Sequence, residues 1–334
     1  MKTLNEAFST RSSWRRYEAW FIRLGLADNS GAWWFRYLLM NPGRAGCPRD
    51  PKGMPVQVWA TWFPSQGLPQ GFIQGFPLEG LHLSGKASSP FRFQVADNVI
   101  EENSCQGSLQ VDGHSISWDL HYRSSLCVTL SSKGWIGFTR TPHSDALFSG
   151  KILLDGRRFE SSPLGFGVQG HNCGYRHRKF WTWTHAYFQS AGTLPSTLEA
   201  LVYEMPLGLV FRKAILWHEG VQHVFRNLRD VGKESGTFGW HFQCSADDGL
   251  ELEVAIDGAG SGIHALPYVK TNCSGSFEVV NNSLAKAQVR LQKRGAPLAV
   301  LETNSGAVLE QGGKAIRRRE PLPGGPPRSH TPTR

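Results

Sequence analysis

What most restricts this chain is a two-residue period, repeated along its length and cut by short turns. In "ISWDLHY", Ile116, Trp118, Leu120 and Tyr122 fall on one face while Ser117, Asp119 and His121 fall on the other. That alternation is the signature of a strand with one buried face. Three stretches add a turn between two such runs. "GSLQVDGHSISW" reverses at Asp112-Gly113, "LGLVFRKAILWHEGVQHVFRNL" at Glu219-Gly220, and "GWHFQCSADDGLELEVAID" at Asp248-Gly249, each an acidic residue and a glycine of the kind that turns a hairpin. "SFEVVNNSLAKAQVRLQ" reads as a further, weaker hairpin. Helical spacing is confined to the short "TLNEAF" near the N-terminus. The chain is therefore expected to be all-β, a sandwich or barrel of antiparallel strands with few short helices. Proline and glycine cluster in "LLDGRRFESSPLG", which divides it into β-rich halves at 1–165 and 166–313, followed by a tail at 314–334.

Composition narrows the classes of function. With 334 residues, 40% of them hydrophobic and 19% charged, the chain can bury a large core. No run approaches the roughly twenty apolar residues that cross a bilayer as a helix. Charges interrupt the first thirty residues, including Lys2, Glu6, Arg15 and Arg16, with no apolar secretory core, so a cytoplasmic location is expected. More than half of the formal charge of +9 sits in the tail, where six basic residues face one acid among prolines and glycines. Such a tail is expected to be disordered, and its basic residues are of the kind that make peripheral contact with anionic lipid. No basic helix or ribonucleoprotein-like strand accompanies "KAIRRRE", so no nucleic acid partner is expected. The six cysteines are scattered without a C-x-x-C pair, as buried thiols in a reducing compartment would be. Phosphate loops, dinucleotide fingerprints, G-x-S-x-G elbows and H-E-x-x-H are absent, and no cofactor is expected.

The chemistry concentrates in "GVQGHNCGYRHRKFWTWTHAYF", residues 167–188. His171, His177, His185 and Cys173 invite a metal, but Gly170 and Gly174 break the regular spacing and no carboxylate follows at a useful distance, so no metal site is expected. From Phe180 onward the strand period places Trp181, Trp183, His185 and Tyr187 on one face and Thr182, Thr184 and Ala186 on the other. Large flat rings with one polar handle suit the wall of a hydrophobic cavity. Trp118, on the apolar face of its own strand, fits the same wall. The alternative for all of these rings is an ordinary β core with His185 hydrogen-bonded inside it. His171-Asn172 is expected on a tight, glycine-flanked loop just before the aromatic strand, where a histidine can orient a substrate oxygen or move a proton near neutral pH.

Three segments in order, "YEAWFIRL…GAWWFRYLL…VQVWATWF", "GSLQVDGHSISWDLHY" and "DGRRFESSPLGFGVQGHNCGYRHRKFWTWTHAYF", resemble the AttH-like, carotenoid 1,2-hydratase and tocopherol cyclase group. The group's G-x-x-x-H-N-W-G element with a later W-x-W corresponds to Gly167, His171, Asn172, Cys173 and Gly174, then Trp181 and Trp183. The resemblance runs from about Tyr17 to about Asn227. It implies two lipocalin-like β-barrel halves and a lumen for a hydrophobic isoprenoid, polyene or polyketide-like ligand. It also implies cofactor-free acid–base chemistry on that ligand, as hydration, cyclisation or isomerisation. By the same resemblance His171 and Asn172 are the expected catalytic pair with Trp181 and Trp183 beside them. The strand pattern adds His185, Tyr187 and Trp118, and the apolar neighbours in "LEALVYEMPLG" add Glu204, as residues expected against the substrate. The sequence departs from the group at Cys173, which replaces a tryptophan, and at Gly170, where hydratase-like relatives carry an acid. Protonating an unactivated alkene requires a carboxylic acid in a dry pocket. In place of the missing acid the chain offers Asp119, Glu199 and Glu204. A non-catalytic carrier of a lipophilic ligand is the reading that needs no acid at all.

Overall fold

In a computed structural model of the chain, the structure describes residues 4–8, 16–41, 54–85, 89–132, 137–189, 194–231, 238–271 and 275–313. The basic tail at 314–334 lies outside them, as do Cys47 and Cys273. The described residues form two antiparallel sheets. The first sheet carries, in spatial order, β4 (Gln70–Phe76), β3 (Val56–Pro64), β2 (Gly31–Asn41), β1 (Arg16–Leu26), β13 (Gly165–Gly174) and β11 (Gly137–Leu154). It continues through β9 (His114–Arg123), β8 (Ser104–Val111), β7 (Asn98–Glu101), β6 (Arg92–Val95) and β5 (Leu81–Ser84). Two more strands, β10 (Val128–Ser132) and β12 (Arg157–Glu160), pair with the two ends of β11. The second sheet runs β17 (Val221–Phe225), β16 (Val210–His218), β15 (Ser196–Glu204), β14 (Phe180–Phe188), β23 (Ala296–Gly313) and β22 (Ser276–Lys293). It ends with β20 (Leu250–Asp257), β19 (Gly239–Ser245) and β18 (Arg229–Asp230), while β21 (His264–Val269) pairs with the other end of β22.

The all-β expectation holds, and the hairpins at Asp112-Gly113, Glu219-Gly220 and Asp248-Gly249 form as read. Both residues of the first two turns take positive φ, the backbone that a tight hairpin turn demands. Ile116, Trp118, Leu120 and Tyr122 are all buried along β9. Two expectations fail. "SFEVVNNSLAKAQVRLQ" is not a hairpin but most of one continuous strand, β22, whose register against β23 slips between Asn282 and Ala285. The slip is a bulge: the Asn282 side chain accepts from the backbone N–H of Leu284 at 2.8 Å and donates to the Gly258 carbonyl at 2.8 Å. Local side-chain bonding thus bends the strand without reversing it. Residues 4–8 of the "TLNEAF" segment are also not helical. Their polar groups bond to the first sheet instead, with Asn5 exchanging two hydrogen bonds with the Gln169 amide.

Each sheet curls around its own apolar core. One core holds Trp20, Trp33, Phe35, Trp118 and Phe148; the other holds Phe188, Leu216, Phe242 and Val289. Two further clusters join the sheets face to face. Phe21, Trp34 and Val168 of the first meet Trp183, Leu201 and Tyr203 of the second, and Trp59 meets Tyr268. The chain passes from one sheet to the other between Gly174 and Phe180; the cluster at 161–165 instead leads into β13, a strand of the first sheet. A buried arginine ties the two together: Arg23 on β1 donates through Nε and Nη2 to the Ser283 carbonyl, at 3.1 and 2.6 Å, and through Nη2 to the Ser305 carbonyl.

Candidate functional site between the sheets

Strand alternation decides which side chains meet. On β1, Tyr17, Ala19 and Phe21 face the second sheet, while Glu18 and Trp20 face the first core. On β13, paired to β1 in register, Asn172 shares the first direction and His171 the second. The structure therefore separates the expected catalytic pair, because neighbours on a strand point to opposite faces. His171 is fully buried, stacked on Trp20 at 4.6 Å. Its Nδ1 donates to the Leu4 carbonyl at 2.8 Å, and its Nε2 is hydrogen-bonded to the Glu18 carboxyl at 2.9 Å. Glu18 also accepts from the Phe8 backbone N–H at 2.7 Å. The carboxylate beside His171 thus exists, on a residue that the sequence pattern did not single out, and the pair pins residues 4–8 across the first core.

The space between the sheets is a pocket with a cavity volume of about 80 Å³. Its wall from the first sheet is Tyr17, Phe21, Trp34 and Arg36, with Asn172 beside them. From the second come Trp181, Trp183, Tyr203, Tyr268 and Glu310, with His177 at the crossing segment. Two glycines make room for the rings. A Cβ on Gly170 would lie 2.1 Å from the Phe21 ring, and one on Gly312 would lie 2.2 Å from the Trp181 ring. Phe21 therefore occupies the space that an acidic side chain at position 170 would need.

The pocket's acid comes from the other sheet. Glu310 on β23 accepts from Trp181 Nε1 at 2.9 Å through one oxygen. Its other oxygen accepts from the Tyr268 hydroxyl at 3.0 Å and, more weakly, from the Asn281 amide at 3.4 Å. Burial raises its pKa above the ordinary carboxylate range, outweighing those donors and nearby Arg36. His177 stacks on Tyr17 at 4.2 Å, and neither of its ring nitrogens has a hydrogen-bond partner among the described residues. Burial and, second, the Arg36 charge push its pKa down to about 3, so it is a neutral imidazole. Burial pushes the Tyr17 phenol up to about 12 and the Cys173 thiol, where the related group has tryptophan, also up to about 12. The Asn172 Oδ1 has no partner among the described residues.

Of the residues expected at the site, Asn172, Trp181 and Trp183 meet in this pocket. His185 and Tyr187 share the aromatic face of β14, as the strand period predicted, but lie further along it. His185 donates through Nε2 to the Ser144 carbonyl at 2.8 Å, and burial pushes its pKa down to about 3. Tyr187 stacks on Phe166 at 5.1 Å. Trp118 is inside the first core, donating to the Tyr37 hydroxyl at 2.9 Å. Glu204 accepts from Lys179 at 3.1 Å, at the edge of the second sheet. Of the other two acids considered, Asp119 is exposed on β9, and Glu199 is buried beneath Trp183 between the sheets. Tyr17, Arg36, Tyr268 and Glu310 went unread. Tyr17 and Arg36 are the polar members of aromatic runs, a signal available in the sequence. Glu310 sits where the alternation of "AVLEQGG" gives no hint of a buried acid.

The arrangement of the two antiparallel sheets is an AttH-like fold. Among solved structures the chain is similar to kievitone hydratase from Nectria haematococca, with a TM-score of 0.55 and 10% identity over 93% of this chain and 92% of that one. It is also similar to a putative AttH from Nitrosomonas europaea, with a TM-score of 0.52 and 12% identity over 92% of this chain and 94% of that one. No family model and no curated protein matches the sequence. No helix among the described residues is long and apolar enough to cross a membrane.

Proposed function

We propose that the pocket between the sheets binds a hydrophobic molecule and adds water to one of its double bonds by acid–base chemistry, cyclisation and isomerisation being variants of the same first step. The observation that carries this reading is Glu310, a carboxyl of raised pKa set among aromatic rings. In the protonated form it gives its proton to one alkene carbon, and the positive charge develops on the other. The face of Trp181 stabilises that charge, by up to about 2 kcal/mol for a desolvated contact. Water then bonds to the cationic carbon and its surplus proton returns to the Glu310 carboxylate, so the acid is regenerated. His177 and the Asn172 Oδ1 offer acceptors that orient the water. The fold is shared with an enzyme named as a hydratase, which supports the reaction class without fixing the substrate.

The test is incubation with polyenes, isoprenoids and prenylated aromatics in isotopically heavy water, with products followed by mass. A product that has gained one solvent-derived water is expected. Replacing Glu310 by Gln should lower turnover about 10²- to 10⁴-fold, the worth of a positioned acid, with ligand binding retained. Ligand recovered bound but unchanged from every incubation would establish the carrier instead.

A further inference from the structure

The pocket is more basic than a hydrophobic ligand requires. Its described lining holds two guanidiniums, Arg36 and Arg178, against one carboxyl, Glu310. Neither arginine makes an ion pair with a carboxylate among the described residues. Arg36 is 4% exposed. Its guanidinium lies on two rings, 3.9 Å from the Tyr268 centroid and 4.9 Å from that of Trp59, and its Nη1 has no hydrogen-bond partner among the described residues. Arg178 lies over Tyr203 at 4.7 Å. Ring faces hold a cation in place but leave its in-plane N–H groups free to donate. A buried charge with an unspent donor is costly unless something pairs with it. Tyr17 and His177 add no charge, being a neutral phenol and a neutral imidazole at ordinary pH. With Glu310 ionised the pocket keeps one positive charge in excess; with it protonated, two.

We infer that the natural ligand carries an anionic oxygen group, a carboxylate or an ionised phenol, on its aromatic or polyene frame, and that Arg36 anchors it. This rests on the reading of the pocket as the ligand site and adds the class of molecule. The anion would sit on Arg36 while the apolar frame lies against Trp34, Trp181 and Trp183. Such an anchor fixes the frame relative to Glu310, so only one double bond is presented to the acid. A neutral hydrocarbon would leave the Arg36 donor unpaired and bind less tightly.

The test uses two probes of one shape, 2-naphthoate and the uncharged 2-naphthamide, titrated into the full chain by calorimetry with quenching of tryptophan fluorescence as a second readout. The anion should bind about ten- to a hundredfold more tightly than the amide, the worth of one charged hydrogen bond. Arg36→Met should remove that preference by weakening naphthoate far more than naphthamide, with an unchanged far-ultraviolet circular dichroism spectrum showing that the chain still folds. Arg36→Lys should keep part of the preference. Equal binding of both probes, or a preference that survives Arg36→Met, overturns the inference while leaving the pocket a ligand site. Failure of both probes to bind and quench overturns the inference and the site reading together.

Discussion

Glu199 has one oxygen committed and one bare. Trp183 Nε1 and Thr141 Oγ1 both donate to Oε1, at 2.9 and 2.8 Å, while Oε2 has no partner among the described residues. Burial raises its pKa from 4.5 to about 7. A carboxyl whose folded pKa is raised contributes stability that is fully present below the unfolded value and lost as pH rises through the folded one. Glu199→Gln cannot ionise and should lose this dependence. Its thermal midpoint, relative to the parent, should therefore be higher above pH 7 than below pH 4.5; a difference independent of pH would contradict the assignment. Glu310 is the better placed of the two acids, since it lines the pocket and Glu199 does not. His171, which the sequence put first, is committed at both nitrogens to Leu4 and Glu18. "HNCG" is expected on a tight loop but closes the continuous strand β13, and pattern alone does not show which of that strand's two faces the pocket lies on.

At the scale of elements, β22 illustrates what a sequence pattern hides. The Asn281-Asn282-Ser283 run resembles a turn, yet its side chains close a bulge and the strand continues for 18 residues. Asn282→Ala removes two buried hydrogen bonds and leaves the Gly258 carbonyl unpaired, which should cost about 1–3 kcal/mol. Urea denaturation reads that loss directly, and an unchanged midpoint would mean the bulge is held by backbone alone. The hairpins were legible because an acidic residue before glycine has few conformations to choose from. The aromatic face of β14 was legible because a period of two survives any packing. What it packs against was not, since the partners Phe21, Trp34 and Tyr17 lie about 150 residues earlier in the chain. The cross-strand glycines were noticed only as a missing acid at Gly170. Their physical role, giving way to Phe21 and Trp181, appears once the registers of β1 with β13 and of β14 with β23 are known.

For the whole molecule, the pocket depends on how the two sheets are held together. Thr141 and Ser144 of β11 reach Glu199, Thr197 and His185 across the joint, and Arg23 grips carbonyls at both Ser283 and Ser305. Burial lowers the Arg23 pKa only to about 10, so the clamp stays charged at neutral pH. Arg23→Met should cost about 2–3 kcal/mol and weaken probe binding in the pocket, although Arg23 does not line it. Unchanged denaturation and binding would show that the apolar clusters alone set the joint. The all-β class was plain from the sequence, whereas the location of the pocket, between the sheets and outside either core, required the fold. The central claim is an acid whose pKa burial raises among aromatic rings, and infrared titration of carboxyl stretches tests it without knowledge of the substrate. Subtracting the spectrum of the Glu199→Gln, Glu310→Gln double variant from that of Glu199→Gln alone should isolate one band titrating above 4.5, the ordinary value for a glutamate; a band titrating at or below that value would contradict the account.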